Sequence, residues 1–244
     1  MIQHYSNNST SIFRRCKYKY QFYYGGDKRT EDTDSSPGQR MGKAGHLALK
    51  GYNLALQEER VAASASGKGG EYFFSWDKIY RKALDWARWE FDPRDEEDMQ
   101  EFRWLEKVLK NYFAATARET KTVLLVEEKV KIERFMGIFD LVAEQDGRRY
   151  VEDYKFQKSE QVSHVPTDSQ ISFYLLLARK MELNVSGLLL TIISTGKKKE
   201  SNKPGKIIRT YATRSERFLD QFEEDLLMQV EEMDAFAQDP KPYR

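Results

Sequence analysis

The segment Phe135-Met-Gly-Ile-Phe-Asp140-Leu-Val-Ala-Glu-Gln-Asp-Gly147-Arg-Arg-Tyr-Val-Glu-Asp153-Tyr-Lys155 restricts the fold more tightly than any other part of the sequence. Two β-rich runs flank Asp146-Gly147, a dipeptide favoured in two-residue type I′ turns because both positions take a positive φ. With those residues as the turn, Gln145 pairs with Arg148 and the register of every further pair follows. Asp140 then faces Asp153, with Cβ atoms roughly 4.5–5.5 Å apart on one face. Lys155, two residues further on, points to that face as well. Ile138, Phe139, Leu141, Val142 and Val151 place apolar groups on both faces, which predicts central, buried strands.

Opposed carboxylates repel, and a buried carboxylate needs a partner. A hard divalent cation meets both needs: Mg²⁺ is commonly held by one or two carboxylates together with substrate phosphate. A neighbouring ammonium would stabilise phosphate charge. Such a set of groups suits phosphodiester hydrolysis. The competing reading is a solvated ladder of paired Asp and Lys, and the apolar flanks argue against it.

The rest of the chain supplies the frame. Residues 9–24 read as a basic, aromatic helix and 25–38 as a loop; a helix follows over 39–59, then a second loop at 63–71. Apolar spacing predicts helices over 76–89 and, after an Asp92-Pro93 N-cap, to about 118, with Phe102, Leu105, Leu109 and Tyr112 on the buried side. Strands are expected at 122–130, 134–144, 148–156, 187–195 and 207–213, with a helix at 169–182. A last helix spans 214–237, its stripe formed by Phe218, Phe222, Leu226, Val230 and Met233 and its start by a Thr213–Glu216 capping box. The fold class is therefore α/β: a central mixed sheet flanked by helices, with a helical N-terminal half. We expect one domain over 1–244, made of a helical part (1–120), a catalytic sheet core (121–213) and a C-terminal helix (214–244).

Composition narrows the function. Forty Lys+Arg against 39 Asp+Glu leave a net charge of +1, so a nucleic-acid surface has to be a local patch. No run of 18 apolar residues exists, so no membrane span is expected, and the opening residues lack the apolar core of a signal peptide. Cys16 is the single cysteine, which excludes an intrachain disulfide and an all-thiolate metal site and makes the cytoplasm the expected compartment.

Gly137-Ile-Phe-Asp140 followed by Glu152-Asp153-Tyr-Lys155 resembles the core of the PD-(D/E)XK nucleases, in their RecB-like exonuclease branch. Three further segments fall in that branch's order: Ser9–Tyr20 is similar to its opening helix (Lys17 stands where proline is usual), Gly42-Lys-Ala-Gly-His46 to its Gly-x-x-x-His motif, and Gln170-Ile-Ser-Phe-Tyr174 to its Gln-x-x-x-Tyr motif. The resemblance covers about residues 5–180 and implies a restriction-endonuclease-like core. It implies Mg²⁺ or Mn²⁺ on His46, Asp140, Asp153 and the backbone carbonyl of Tyr154, with Lys155 as the catalytic lysine beside Asp140 and Asp153. Gln170 and Tyr174 would contact DNA or hold Lys155. Several relatives hold an iron–sulfur cluster on four cysteines; Cys16 stands at the first position and residues 214–244 contain none, so no cluster is expected and Cys16 reads as a small buried residue.

Substrate contacts are expected from two basic patches, Arg14 and Arg15 on the first helix and Lys197, Lys198 and Lys199 in the loop after 187–195. Glu127 and Glu128, on the strand before the hairpin, are either ligands of a second metal or a salt-bridged strand, and the plainer reading is preferred. The function expected is a metal-dependent DNA exonuclease acting on single strands or duplex ends in recombination, repair or phage DNA metabolism, with a recombination or replication protein as the candidate partner. A catalytically weak DNA-binding protein and a structure-specific endonuclease are the alternatives.

Overall fold

The computed structural model describes residues 4–24, 36–65, 76–116, 119–159, 162, 165–196 and 204–238. In chain order its elements are helices α1 (Asn7–Arg15), α2 (Lys17–Tyr24), α3 (Pro37–Ala65), α4 (Trp76–Arg88) and α5 (Glu96–Thr116), strands β1 (Lys121–Ile132), β2 (Phe135–Gln145) and β3 (Arg148–Gln157), helix α6 (Ser169–Lys180), strands β4 (Gly187–Ser194) and β5 (Ile207–Ala212), and helix α7 (Glu216–Gln238). The strands form one sheet in the order β1-β2-β3-β4-β5. Strands β1 to β3 are an antiparallel meander; β4 returns parallel to β3 after α6, and β5 is antiparallel to β4. This is the mixed, helix-flanked sheet of a restriction-endonuclease-like α/β fold.

The hairpin runs in the register its turn predicts, from Gln145↔Arg148 to Leu141↔Glu152. Asp146 and Gly147 both take positive φ, +51° and +72°, as a type I′ turn requires. Alternation along β3 then separates two cores. Val151 joins Phe139, Phe173, Leu190, Leu226 and Val230 on the face covered by α1, α6 and α7. Tyr154 joins Leu49, Ile79, Leu105, Leu109 and Leu141 on the face covered by α3, α4 and α5. Every residue of β4 is buried, as a parallel strand covered on both faces should be. No described helix is long and apolar enough to cross a membrane.

Several local expectations need correction. The first helix is two helices. Cys16 takes extended backbone between them and its side chain is exposed, not buried; its Sγ accepts the Lys19 N–H at 3.4 Å, so the break, not packing, decides its surroundings. The N-cap of α5 is Asp95, which accepts the N–H groups of Glu97 and Asp98; Asp92 is spent on a turn, binding the Arg94 backbone and guanidinium. Ser215, not Thr213, caps α7 by accepting the Phe218 N–H at 3.2 Å. That placement buries Leu219 and leaves Phe218 exposed. Helix α3 extends past both predicted ends, taking in residues 37–38 and 63–65 of the expected loops; the remainder of those loops, 25–35 and 66–71, lies outside the described residues apart from Ser36.

Candidate metal centre

Beyond Leu141↔Glu152 the ladder between β2 and β3 stops. Asp140 and Asp153 occupy the next positions, where the strands open. There the Asp140 carboxylate takes over the role of a backbone acceptor, receiving the Tyr154 N–H at 2.8 Å. Asp140 is thus locked to the strand that carries Asp153 and Lys155. The Tyr154 side chain turns to the opposite face, where its hydroxyl donates to Glu152 at 2.8 Å.

Helix α3 brings the imidazole. His46 Nδ1 lies 3.4 Å from Asp140 Oδ1 and 4.0 Å from Glu127 Oε1. The approach depends on Gly45, where a Cβ would meet the Phe156 ring at 2.5 Å. With no side chain there, α3 settles against β3 and the His46 ring packs edge-on to Phe156, 5.7 Å between centroids. Glu127 reaches the same place from β1 with φ +48°, a left-handed backbone that a non-glycine residue in a strand adopts only at a cost of about 1–3 kcal/mol. One ligand atom each from His46, Glu127 and Asp140 lies within 4.8 Å of the others, the only such His/Cys/Asp/Glu grouping among the described residues. Nothing in the sequence separates Glu127 from Glu128, which is exposed; the choice is made by how β1 bends beside β2.

The other half of the centre is a chain of hydrogen bonds running to α6. Lys155 Nζ is 2.8 and 3.1 Å from the two Asp153 oxygens and donates to Gln170 Oε1 at 3.0 Å. Gln170 Nε2 in turn donates to the Tyr174 hydroxyl at 3.0 Å. The two α6 side chains cooperate because i and i+4 share a helix face, and Asp168 caps the helix by accepting the Gln170 N–H at 2.8 Å. Gln170 thus touches Lys155, and Tyr174 touches Gln170.

Electrostatics fit this crowding. Burial pushes the Asp153 carboxyl up to about 6; Asp140 adds to the shift and Lys155 opposes it. Glu127 is raised by burial and then by Asp140. Burial works against the charged His46, yet Asp140, Glu127 and Asp153 together raise it. Glu127 and Asp140 are therefore gathered about His46, with Asp153 buried nearby and paired to Lys155, and a cation between the two gathered carboxylates would offset their repulsion. The donor set, carboxylate oxygens with one imidazole, suits a divalent cation.

The basic patch of the first helix lies elsewhere. Arg14 donates to Gln229 Oε1 on α7 at 2.9 Å, and with the exposed Arg15 it lines a groove against α7 that shares no residue with the metal centre. Lys197, Lys198 and Lys199 lie outside the described residues.

The family model of the PD-(D/E)XK nuclease superfamily matches residues 4–244. The curated proteins contain no match. Solved structures give 17 matching chains; one, titled "Crystal structure of SSO0001", is 12% identical, with 75% of this chain and 74% of that one covered and a TM-score of 0.27.

Proposed function

The chain belongs to the PD-(D/E)XK nuclease superfamily, and from that premise we propose that it is a metal-dependent DNA exonuclease of the RecB-like branch, without an iron–sulfur cluster, serving recombination, repair or phage DNA metabolism. The observation that carries this reading is the junction at the mouth of the β2–β3 hairpin. There Asp140 meets His46, while Asp153 meets a lysine fixed from behind by Gln170 and Tyr174.

In this reading His46, Asp140, Asp153 and the Tyr154 carbonyl hold Mg²⁺ or Mn²⁺, and Glu127 is a further ligand. The bound ion supplies Lewis-acid polarisation of the phosphate and a lowered water pKa. Lys155 does the remaining electrostatic work: its ammonium stands beside the carboxylates and presents N–H donors to the charge that builds on the phosphate oxygens. Gln170 and Tyr174 keep that ammonium in place between turnovers, so little reorganisation is required when the phosphate arrives. Tyr174 meets Phe139 edge-on, 5.6 Å between centroids, which anchors the hydrogen-bond chain to the core beneath the site.

The test is Mn²⁺-dependent degradation of end-labelled linear DNA, single-stranded and duplex, beside a closed circle, with Lys155→Ala in parallel. Linear substrates should shorten from their ends, the circle should persist, and the variant should lose at least about 10³-fold in rate. Cutting of the circle would identify an endonuclease instead. Binding without cleavage under any divalent ion would leave a DNA-binding protein on a nuclease scaffold.

A further inference from the structure

A groove of about 710 Å³ opens next to the metal centre, between the start of α3, the first half of α5 and the ends of β3 and β4. It adjoins the centre at Phe156, which lines the groove and whose ring packs edge-on to His46, 5.7 Å between centroids. Gln157 and Lys158, also in the lining, follow Lys155 by two and three residues.

The lining points to an uncharged, flat ligand. Met41, Trp104 and Phe156 supply the apolar wall, with Gln100 and Gln157 as amides beside it. Trp104 is held rigidly, its Nε1–H donating to the Thr195 carbonyl at 2.8 Å. The acid that faces the groove from mid-α5, Glu101, is neutralised by Arg40 at 3.0 Å. A groove built for phosphate would gather cations; this one has Lys158 and Glu97 in its lining together with the aromatic and amide groups. Amide side chains pair with the hydrogen-bonding edges of bases, and aromatic rings stack on any base face. The volume lies within the ordinary range for small-molecule pockets, roughly 300–1,000 Å³.

We propose that this groove is a subsite for an unpaired nucleobase of the strand whose phosphate lies at the metal centre, so that the enzyme selects single-stranded DNA. A base within a duplex keeps its faces stacked and its pairing edge occupied, and entry would require paying to unstack it. The proposal rests on the nuclease reading above for the position of the phosphate.

The experiment uses the full-length protein and a single-stranded oligonucleotide in which one abasic nucleotide is moved step by step through the sequence. Cleavage with Mn²⁺ and anisotropy of the labelled oligonucleotide with Ca²⁺ are read in parallel. Removing the base that occupies the groove should raise KM and the dissociation constant about tenfold, the scale of one base–aromatic stack. In the variant carrying Gln100→Ala and Gln157→Ala, matched to wild type by thermal melting, that base dependence should shrink below about threefold. Normal cleavage at every abasic position would overturn the groove and leave the nuclease intact. Base-dependent binding with no cleavage would keep the groove and overturn the nuclease. Full base dependence in the folded double variant would place the base elsewhere and overturn the assignment.

Discussion

Behind the metal centre, on the opposite face of β3, a buried ion pair offers a sharp test of how this sheet is held. Lys121 and Glu152 are 6% and 3% exposed. Lys121 Nζ donates to the Glu152 oxygens at 2.9 and 3.2 Å, and the Tyr154 hydroxyl donates a third bond at 2.8 Å. Replacing Lys121 by Met keeps the aliphatic stem and leaves the Glu152 carboxylate buried with one hydroxyl. Stranding one member of a buried pair costs about 3–5 kcal/mol, a large part of the ~5–15 kcal/mol that holds a domain folded. For a chain of 244 residues, at about 2 °C per kcal/mol, the melting temperature should fall by about 6–10 °C. Adding Glu152→Gln removes the stranded charge, so the double variant should recover more than half of the loss. The sign of the pH dependence follows from Lys121. Burial works against its ammonium, but Glu152 outweighs burial and holds it above its usual range. A raised pKa in the folded state contributes fully below the unfolded value and is lost only as pH rises through the folded one. The lysine's own contribution to wild-type stability should therefore stay constant from pH 6 to 9. Urea unfolding of the two singles and the double, closed as a thermodynamic cycle, measures the coupling. A single-variant cost below about 1 kcal/mol, in the range of exposed pairs, would refute the reasoning.

Other substitutions separate metal binding from positioning. Asp140→Asn keeps an oxygen for the Tyr154 N–H, so the fold should persist while calorimetric titration detects no Mn²⁺ binding. Gln170→Leu should lower kcat about 10–100-fold with Mn²⁺ affinity retained, the scale seen when an orienting partner is lost; unchanged kcat would mean that Lys155 needs no support. Gly45→Ala drives a Cβ into the Phe156 ring at 2.5 Å, so Mn²⁺ affinity should drop about tenfold, alongside a stability loss of about 1–3 kcal/mol from overpacking, seen by titration and urea melts respectively.

What was legible in the sequence had a local cause. Asp146-Gly147 dictates a turn, the turn dictates register, and the register brings Asp140 and Asp153 to adjoining positions of the hairpin. The ordered motifs bring His46, Gln170 and Tyr174 into the same expected site. Helix ends were less legible, because Asp92 and Asp95, or Thr213 and Ser215, offer equivalent oxygens. Which one caps depends on where the preceding chain turns, and at Asp92 the Arg94 guanidinium settled the matter. Cys16 was misplaced for a similar reason: helical spacing buries it only if the helix continues, and it does not.

The sequence by itself determined the hairpin, the alternation that gives β3 two different faces, and the helices whose apolar stripes cover them, because turn chemistry and side-chain period act over a few residues. Only the tertiary structure decided that Glu127 and not Glu128 enters the centre, that Lys155 is braced from α6, and that a groove opens beside Phe156. Those outcomes depend on the angle at which β1 bends past β2 and on the spacing of α3, α5 and α6 from the sheet, distances set by packing between segments remote in the chain.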